Sequence, residues 1–132
     1  MTFDLYREVI LEHSQHPQNY GKLRKSTHSA TELNPLCGDE VTLYLNVTRG
    51  IIKDVHFDGN GCAISQASAS VFTEMIKRKS VKEAQKIGRE EILAELGIDP
   101  PHARLRCALL AVEVFRKAFT LKQEKQLASI GG

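Results

Sequence analysis

The chain has 132 residues, 42% of them hydrophobic and 26% charged, with a net charge of +2. That size sustains one hydrophobic core without staples, so residues 1–132 read as a single domain, and the small charge gives no electrostatic reason to expect nucleic acid or membrane as a partner. No apolar run approaches the roughly 20 residues a bilayer requires, Met1-Thr2-Phe3-Asp4 lacks the pattern of a secretion leader, and three cysteines in such a chain are expected as reduced thiols in the cytoplasm.

Phe3, Tyr6, Val9, Ile10 and His13 fall at helical spacing and predict a first helix over residues 2–15. His16-Pro17-Gln18-Asn19-Tyr20-Gly21 closes it, because Pro17 disfavours a helical residue before it. Residues 26–33 are β-tolerant and read as a strand. Val41, Leu43, Leu45 and Val47 then alternate with polar residues, as do Ile51, Val55 and Phe57 apart from Lys53, which predicts a hairpin.

The hairpin register follows from matching faces. A two-residue Arg49-Gly50 turn pairs position i with 99−i and sets Leu43 opposite His56, an apolar face against a polar one. A three-residue loop, Thr48-Arg49-Gly50, pairs i with 98−i and sets Val47 opposite Ile51, Leu43 opposite Val55 and Val41 opposite Phe57. The second register is the expectation. Extended past the strands, it puts Cys37 opposite Gly61, one residue from Cys62, so the hairpin returns two distant cysteines to one end of the sheet.

Asp58-Gly59-Asn60-Gly61 ends the second hairpin strand, and a helix is predicted over residues 62–78. Its first half, Ala63 to Ser70, is built of small residues, so another element can approach it closely; Val71, Phe72, Met75 and Ile76 supply an apolar face. Ser80 caps the next helix, with Glu83 at the capping-box position. Residues 89–96 form a further helix ended by Gly97, and Asp99-Pro100-Pro101 is a rigid link. The last helix is predicted from about His102 to Leu121 or beyond, with Leu105, Leu109, Val112 and Phe115 or Val114 on its buried stripe and a frayed end at Gly131-Gly132.

The chemistry concentrates in Asn34-Pro35-Leu36-Cys37-Gly38-Asp39, where a thiol and a carboxylate stand two residues apart. Cys62 opens a helix, where the macrodipole and free N–H groups favour thiolate. Cys107 lies early in the last helix with Arg104 and Arg106 beside it. Cys37, Asp39, Cys62 and Cys107 together would complete a tetrahedral zinc site or hold iron in a cluster. Taken singly, Cys107 also reads as a small buried hydrophobe among Leu105, Ala108 and Leu109, and Asp39 as a turn-ending residue. His13 and His16 suit a helix end, His28 and His56 fall on strand positions expected to face solvent, and His102 stands near Cys107. A purely structural zinc module for protein binding remains the alternative from another class, and a cysteine hydrolase lacks a histidine placed near Cys37.

Leu36-Cys37-Gly38-Asp39, Gly61-Cys62-Ala63-Ile64-Ser65 and Arg104-Leu105-Arg106-Cys107-Ala108 resemble, in order and spacing, the IscU/SufU family of iron–sulfur cluster assembly proteins. The opening from Tyr6 through His13 to Asn19-Tyr20-Gly21 is similar to that family's first helix and turn. The resemblance implies an α+β fold, a small three-stranded antiparallel sheet with helices packed on one face. It implies that Cys37, Asp39, Cys62 and Cys107 bind zinc, iron or a [2Fe-2S] cluster. It further implies a cysteine desulfurase as sulfur donor and downstream iron–sulfur acceptor or carrier proteins as clients. Cys37 is the expected first sulfur acceptor and Cys107 the alternative, with Arg104 and Arg106 steadying thiolate charge. Scaffold-type members carry His where this chain has Arg106, and a Leu-Pro-Pro-Val-Lys segment where it has Asp99-Pro100-Pro101-His102-Ala103. SufU-type members share the arginine at Arg104 but carry an insertion between the second and third cysteines that this chain lacks.

Overall fold

The computed structural model describes residues 2–34, 38–97 and 105–131, with side chains placed over 8–34, 38–97 and 105–120. Its elements are α1 (Thr2–Gln15), β1 (His28–Asn34), β2 (Asp39–Thr48), β3 (Ile51–Asn60), α2 (Ala63–Ile76), α3 (Val81–Gln85), α4 (Arg89–Leu96) and α5 (Leu105–Gly131). The strands form one antiparallel sheet in the order β1-β2-β3. α5 packs over β1 and β2, α2 packs over β3 and against α5, and α1 lies on α2. This is the expected α+β arrangement. β1 begins two residues later than the sequence suggests, and α5 runs through Gly131.

The hairpin reaches its matched faces by a different device from the expected three-residue loop. Thr48 pairs with Ile51 and Val47 with Ile52, so the turn is the two-residue Arg49-Gly50. Both turn residues have positive φ, 54° at Arg49 and 76° at Gly50, the mirror-image geometry that suits strand twist. The register then shifts between Asn46 and Val47; beyond it Leu45 faces Val55, Leu43 faces Phe57 and Val41 faces Gly59. Lys53, the residue that interrupts the alternation, is the extra position that this bulge absorbs. The face-matching requirement holds, but the ladder sits two residues away from the expected pairing.

On the inner face Val41, Leu43, Leu45, Ile52, Val55 and Phe57 are buried against Phe72, Ile76 and Phe115. Phe72 and Phe115 meet edge to face at 5.5 Å, which ties α2 to α5 over the sheet. Burying each such side chain contributes about 1.5–3 kcal/mol. The small residues of α2 explain how close α5 comes. Ser65, Ala67, Ser68, Ala69 and Ser70 are all buried, and the Ser68 hydroxyl donates to the Ala108 carbonyl of α5.

A polar seam holds α1 and its turn in place. His13 Nδ1 lies 2.7 Å from Ser70 Oγ, the Gln18 N–H donates to the same oxygen at 2.8 Å, and Asn19 Nδ2 donates to Thr73 Oγ1 at 3.0 Å. His13 therefore bonds across to α2 in addition to ending its own helix. The capping box at Ser80 and Glu83 is formed as expected, and Gly97 ends α4 with φ of 70°.

Candidate metal centre

Three of the four predicted donors lie in described segments, and the fold brings them together. Asp39 opens β2 on its inner face and is only 1% exposed. Its Oδ1 accepts the Cys62 N–H at 2.9 Å, because β3 delivers Asn60 opposite Glu40 and the chain turns directly into α2. Cys62 is the N-cap residue of α2 and makes no side-chain capping bond, so its thiol stays available. Its Sγ lies 3.7 Å from Asp39 Oδ2. Cys107 stands near the start of α5, fully buried, next to the Ala108 carbonyl that Ser68 holds. The donor atoms of Asp39, Cys62 and Cys107 all lie within 4.8 Å of one another.

The donor set fits a divalent metal. Tetrahedral bonds of about 2.3 Å to sulfur and 2.1 Å to oxygen put neighbouring donors about 3.6 Å apart, and the Cys62–Asp39 pair already has that spacing. Charge points the same way. A buried carboxylate is ordinarily paired with a cation. Among the described residues the ion pairs involve Glu32, Asp54 and Glu74, and none involves Asp39. A dication would neutralise most of the charge of one carboxylate and two thiolates, and two sulfurs with one oxygen suit zinc or iron better than a hard ion.

Two supporting residues were not singled out by the sequence. Asn34, the last residue of β1, is buried and reaches Cys107 Sγ with its Nδ2 at 4.0 Å. Its carbonyl accepts the Gly38 N–H at 2.8 Å, and it pairs with Asp39 in the ladder. One residue thus touches the third thiol and closes the turn that leads to the carboxylate. Gly61 is the second. A Cβ there would fall 2.3 Å from Ser65 Oγ and 2.8 Å from Asp39 Oδ1, so any side chain would displace the carboxylate. The only sequence signal for Asn34 was its place at the head of the Cys37–Asp39 stretch.

Cys37, Arg104 and His102 lie outside the described residues. Arg106 is exposed and shares an open cleft with Asn34 and Glu32 beside Cys107. The other histidines sit elsewhere. His28, expected to face solvent, instead stacks on Phe119 at 4.5 Å. His56 is also half-buried, its Nδ1 sealed from solvent without a hydrogen-bond partner and its Nε2 3.8 Å from Asp54. Among the described residues no histidine joins the thiol cluster.

The family model of the NifU-like N terminal domain matches residues 5–128. An iron–sulfur cluster assembly scaffold protein, IscU 1 of Archaeoglobus fulgidus, is 37% identical over 114 residues, 86% of this chain and 74% of that protein. The zinc-dependent sulfurtransferase SufU of Bacillus subtilis is 35% identical, over 86% of this chain and 88% of its own. The crystal structure of a nitrogen-fixing NifU-like protein (N-terminal) from Brucella abortus superposes with a TM-score of 0.73 at 25% identity, covering 92% of this chain and 96% of that one. No helix among the described residues is long and apolar enough to cross a membrane.

Proposed function

Because the chain belongs to the NifU-like N-terminal domain family, with relatives named as IscU and SufU, we propose that it is a single-domain iron–sulfur cluster assembly protein that accepts sulfur from a cysteine desulfurase. Cys37, Asp39, Cys62 and Cys107 are the ligand set, with zinc as the resident ion. Iron or a [2Fe-2S] cluster is the cargo in the scaffold variant of the same reading. The observation that carries it is the buried Asp39 carboxylate, held 3.7 Å from one thiol and within 4.8 Å of a second, with no ion-pair partner among the described residues.

Cys37 is the first sulfur acceptor in this reading, and burial argues against Cys107 in that role. Cys107 is 0% exposed, so an outside persulfide cannot reach it without the helix moving. In the transfer, the Cys37 thiolate attacks the outer sulfur of the desulfurase persulfide. A new S–S bond forms at Cys37, the old one breaks, and the desulfurase cysteine leaves as thiolate with no net oxidation. Bound zinc would supply positive charge that keeps the remaining thiols deprotonated. Asp39, Cys62 and Cys107 would hold the ion, which leaves the Cys37 thiolate for the transfer. In this reading Arg104 and Arg106, three residues and one residue before Cys107 in the sequence, would steady the anionic thiolate or contact the partner. The working compartment in this reading is the cytoplasm, and the clients are iron–sulfur carrier or acceptor proteins.

The test is metal and acid-labile sulfide content of anaerobically purified protein, followed by reaction with a cysteine desulfurase and cysteine. One zinc per chain, no sulfide, and a persulfide lost in Cys37→Ala would support sulfur relay. Equal iron and sulfide, with charge-transfer absorption lost in Cys62→Ala, would support the scaffold variant. Zinc whose removal unfolds the chain, with no persulfide on any cysteine, would make it a structural zinc module instead.

A further inference from the structure

The end of the hairpin remote from the metal centre carries a second feature that the ligand chemistry does not use. The isolated bridge between Ile51 and Ser80 joins the hairpin tip to the segment after α2. Backbone bonds run from Val81 N to Gly50 O at 2.8 Å, from Arg78 N to Ile52 O at 2.7 Å and from Ile52 N to Lys79 O at 2.8 Å. Within residues 49–53 and 78–86, Arg49, Lys53, Arg78, Lys79, Lys82 and Lys86 face one acid, Glu83, whose carboxylate is engaged in the Ser80 capping box. All six cations are exposed, and none has an ion-pair partner among the described residues.

Backbone conformation adds an independent sign. Among the described non-glycine residues, only Asn19, Arg49 and Arg78 have positive φ, and the two arginines, at 54° and 70°, both belong to this pole. Asparagine and glycine occupy that region readily, whereas arginine does so against steric resistance. Strain kept at exposed positions, where an easier residue would fold better, points to a use for the side chain.

We infer that this pole, built on Arg49 and Arg78, is a docking surface for an acidic face of a protein partner. Charge complementarity selects an acidic occupant. No aromatic side chain lies in either segment to stack on bases, and the cations are spread over the hairpin turn, the start of β3, the segment after α2 and the five-residue α3 instead of along one groove-entering helix. The described exposed large hydrophobics, Leu11, Tyr20 and Leu33, all lie elsewhere, so nothing here inserts into a bilayer. Ten residues of β2, about 30 Å of strand, separate the pole from Asp39, so a partner can sit here while the thiols transact.

The experiment titrates the full chain, with its metal, into labelled poly-L-glutamate, and compares the double variant Arg49→Asn/Arg78→Asn with Lys22→Gln/Lys25→Gln, an equal loss of charge on the loop before β1. The double variant should bind at least fivefold more weakly yet melt roughly 3–5 °C higher, since both sites are relieved of strain. The Lys22/Lys25 variant should stay within twofold of the parent, and zinc content and persulfide formation should be unchanged in both. Equal weakening in the two variants, or a melting temperature that does not rise, would overturn the inference. Duplex DNA or anionic vesicles bound more tightly than polyglutamate would overturn the choice of a protein partner.

Discussion

Where Asp39 approaches Cys62, the hairpin is so crowded that two glycines are held by what surrounds them; where Thr48 meets Ile51, it is open, cationic and bent through an arginine. At the first end a Cβ on Gly59 would fall 2.0 Å from the Glu40 carbonyl oxygen and one on Gly61 2.8 Å from the Asp39 carboxylate. At the second, a Cβ on Gly50 would meet nothing within 4 Å. The contrast separates two demands. Ligand atoms from three elements must converge within a few ångströms, so their support is packed and buried. A surface for a partner needs only reach and charge, so it can tolerate exposed backbone strain.

The comparison is broken most directly by Gly59→Ala. Its φ of 148° and the immovable backbone oxygen opposite it should make the change cost about 3 kcal/mol or more, read by urea unfolding. A loss below about 1 kcal/mol, on the scale of an ordinary surface change, would remove the case for crowding. Asn34→Ala should cost about 1–3 kcal/mol by leaving buried polar groups without their partner. It should also weaken zinc about tenfold in chelator competition, the size expected for a group that orients a ligand. Gly61→Ala should cost less stability, about 1–2 kcal/mol, because the atoms it meets are side chains that can yield. Its signature is metal loss from a folded chain, since the atom that moves is Asp39 Oδ1.

At the tip the sign reverses. Arg49→Asn alone should raise stability by about 0.5–1 kcal/mol, as Asn-Gly is the favoured pair for this turn. Midway along the hairpin, Tyr44 donates to Asp58 Oδ2 at 3.0 Å, and burial, then Asp58, raises its pKa. The folded chain therefore holds the phenol proton more tightly than the unfolded one. Stability from this group is intact below the usual tyrosine pKa and is lost as pH rises through the raised one. Tyr44→Phe should flatten that alkaline decline, a small effect visible in melting temperature against pH.

Much of this could be seen in the residues. Ser80 and Glu83 announced a cap, Gly97 a helix end, and the alternation from Val41 to Phe57 demanded that apolar faces meet. The small residues of Ala63 to Ser70 promised a close neighbour, though not that it would be α5. What misled was Arg49. Its side chain gives no hint of a left-handed turn, so a loop using Gly50 alone was the better reading of the sequence. Lys53 was visible as an interruption but not as a bulge, because a bulge is defined by the partner strand.

The residues by themselves determined the chemistry on offer, thiols at helix starts and a carboxylate beside a turn, because those properties are local. They also determined that the hairpin must bring its two outer ends together, where Asp39 meets Cys62. Only the tertiary structure decided that Asp39 and not a cysteine makes the contact with Cys62 N–H, that Asn34 reaches Cys107 across 73 residues of sequence, and that Cys107 joins the cluster instead of serving only as core. Those outcomes depend on the bulged register and on how closely α5 can lie on α2. Both are set by packing between distant segments, which no local pattern encodes.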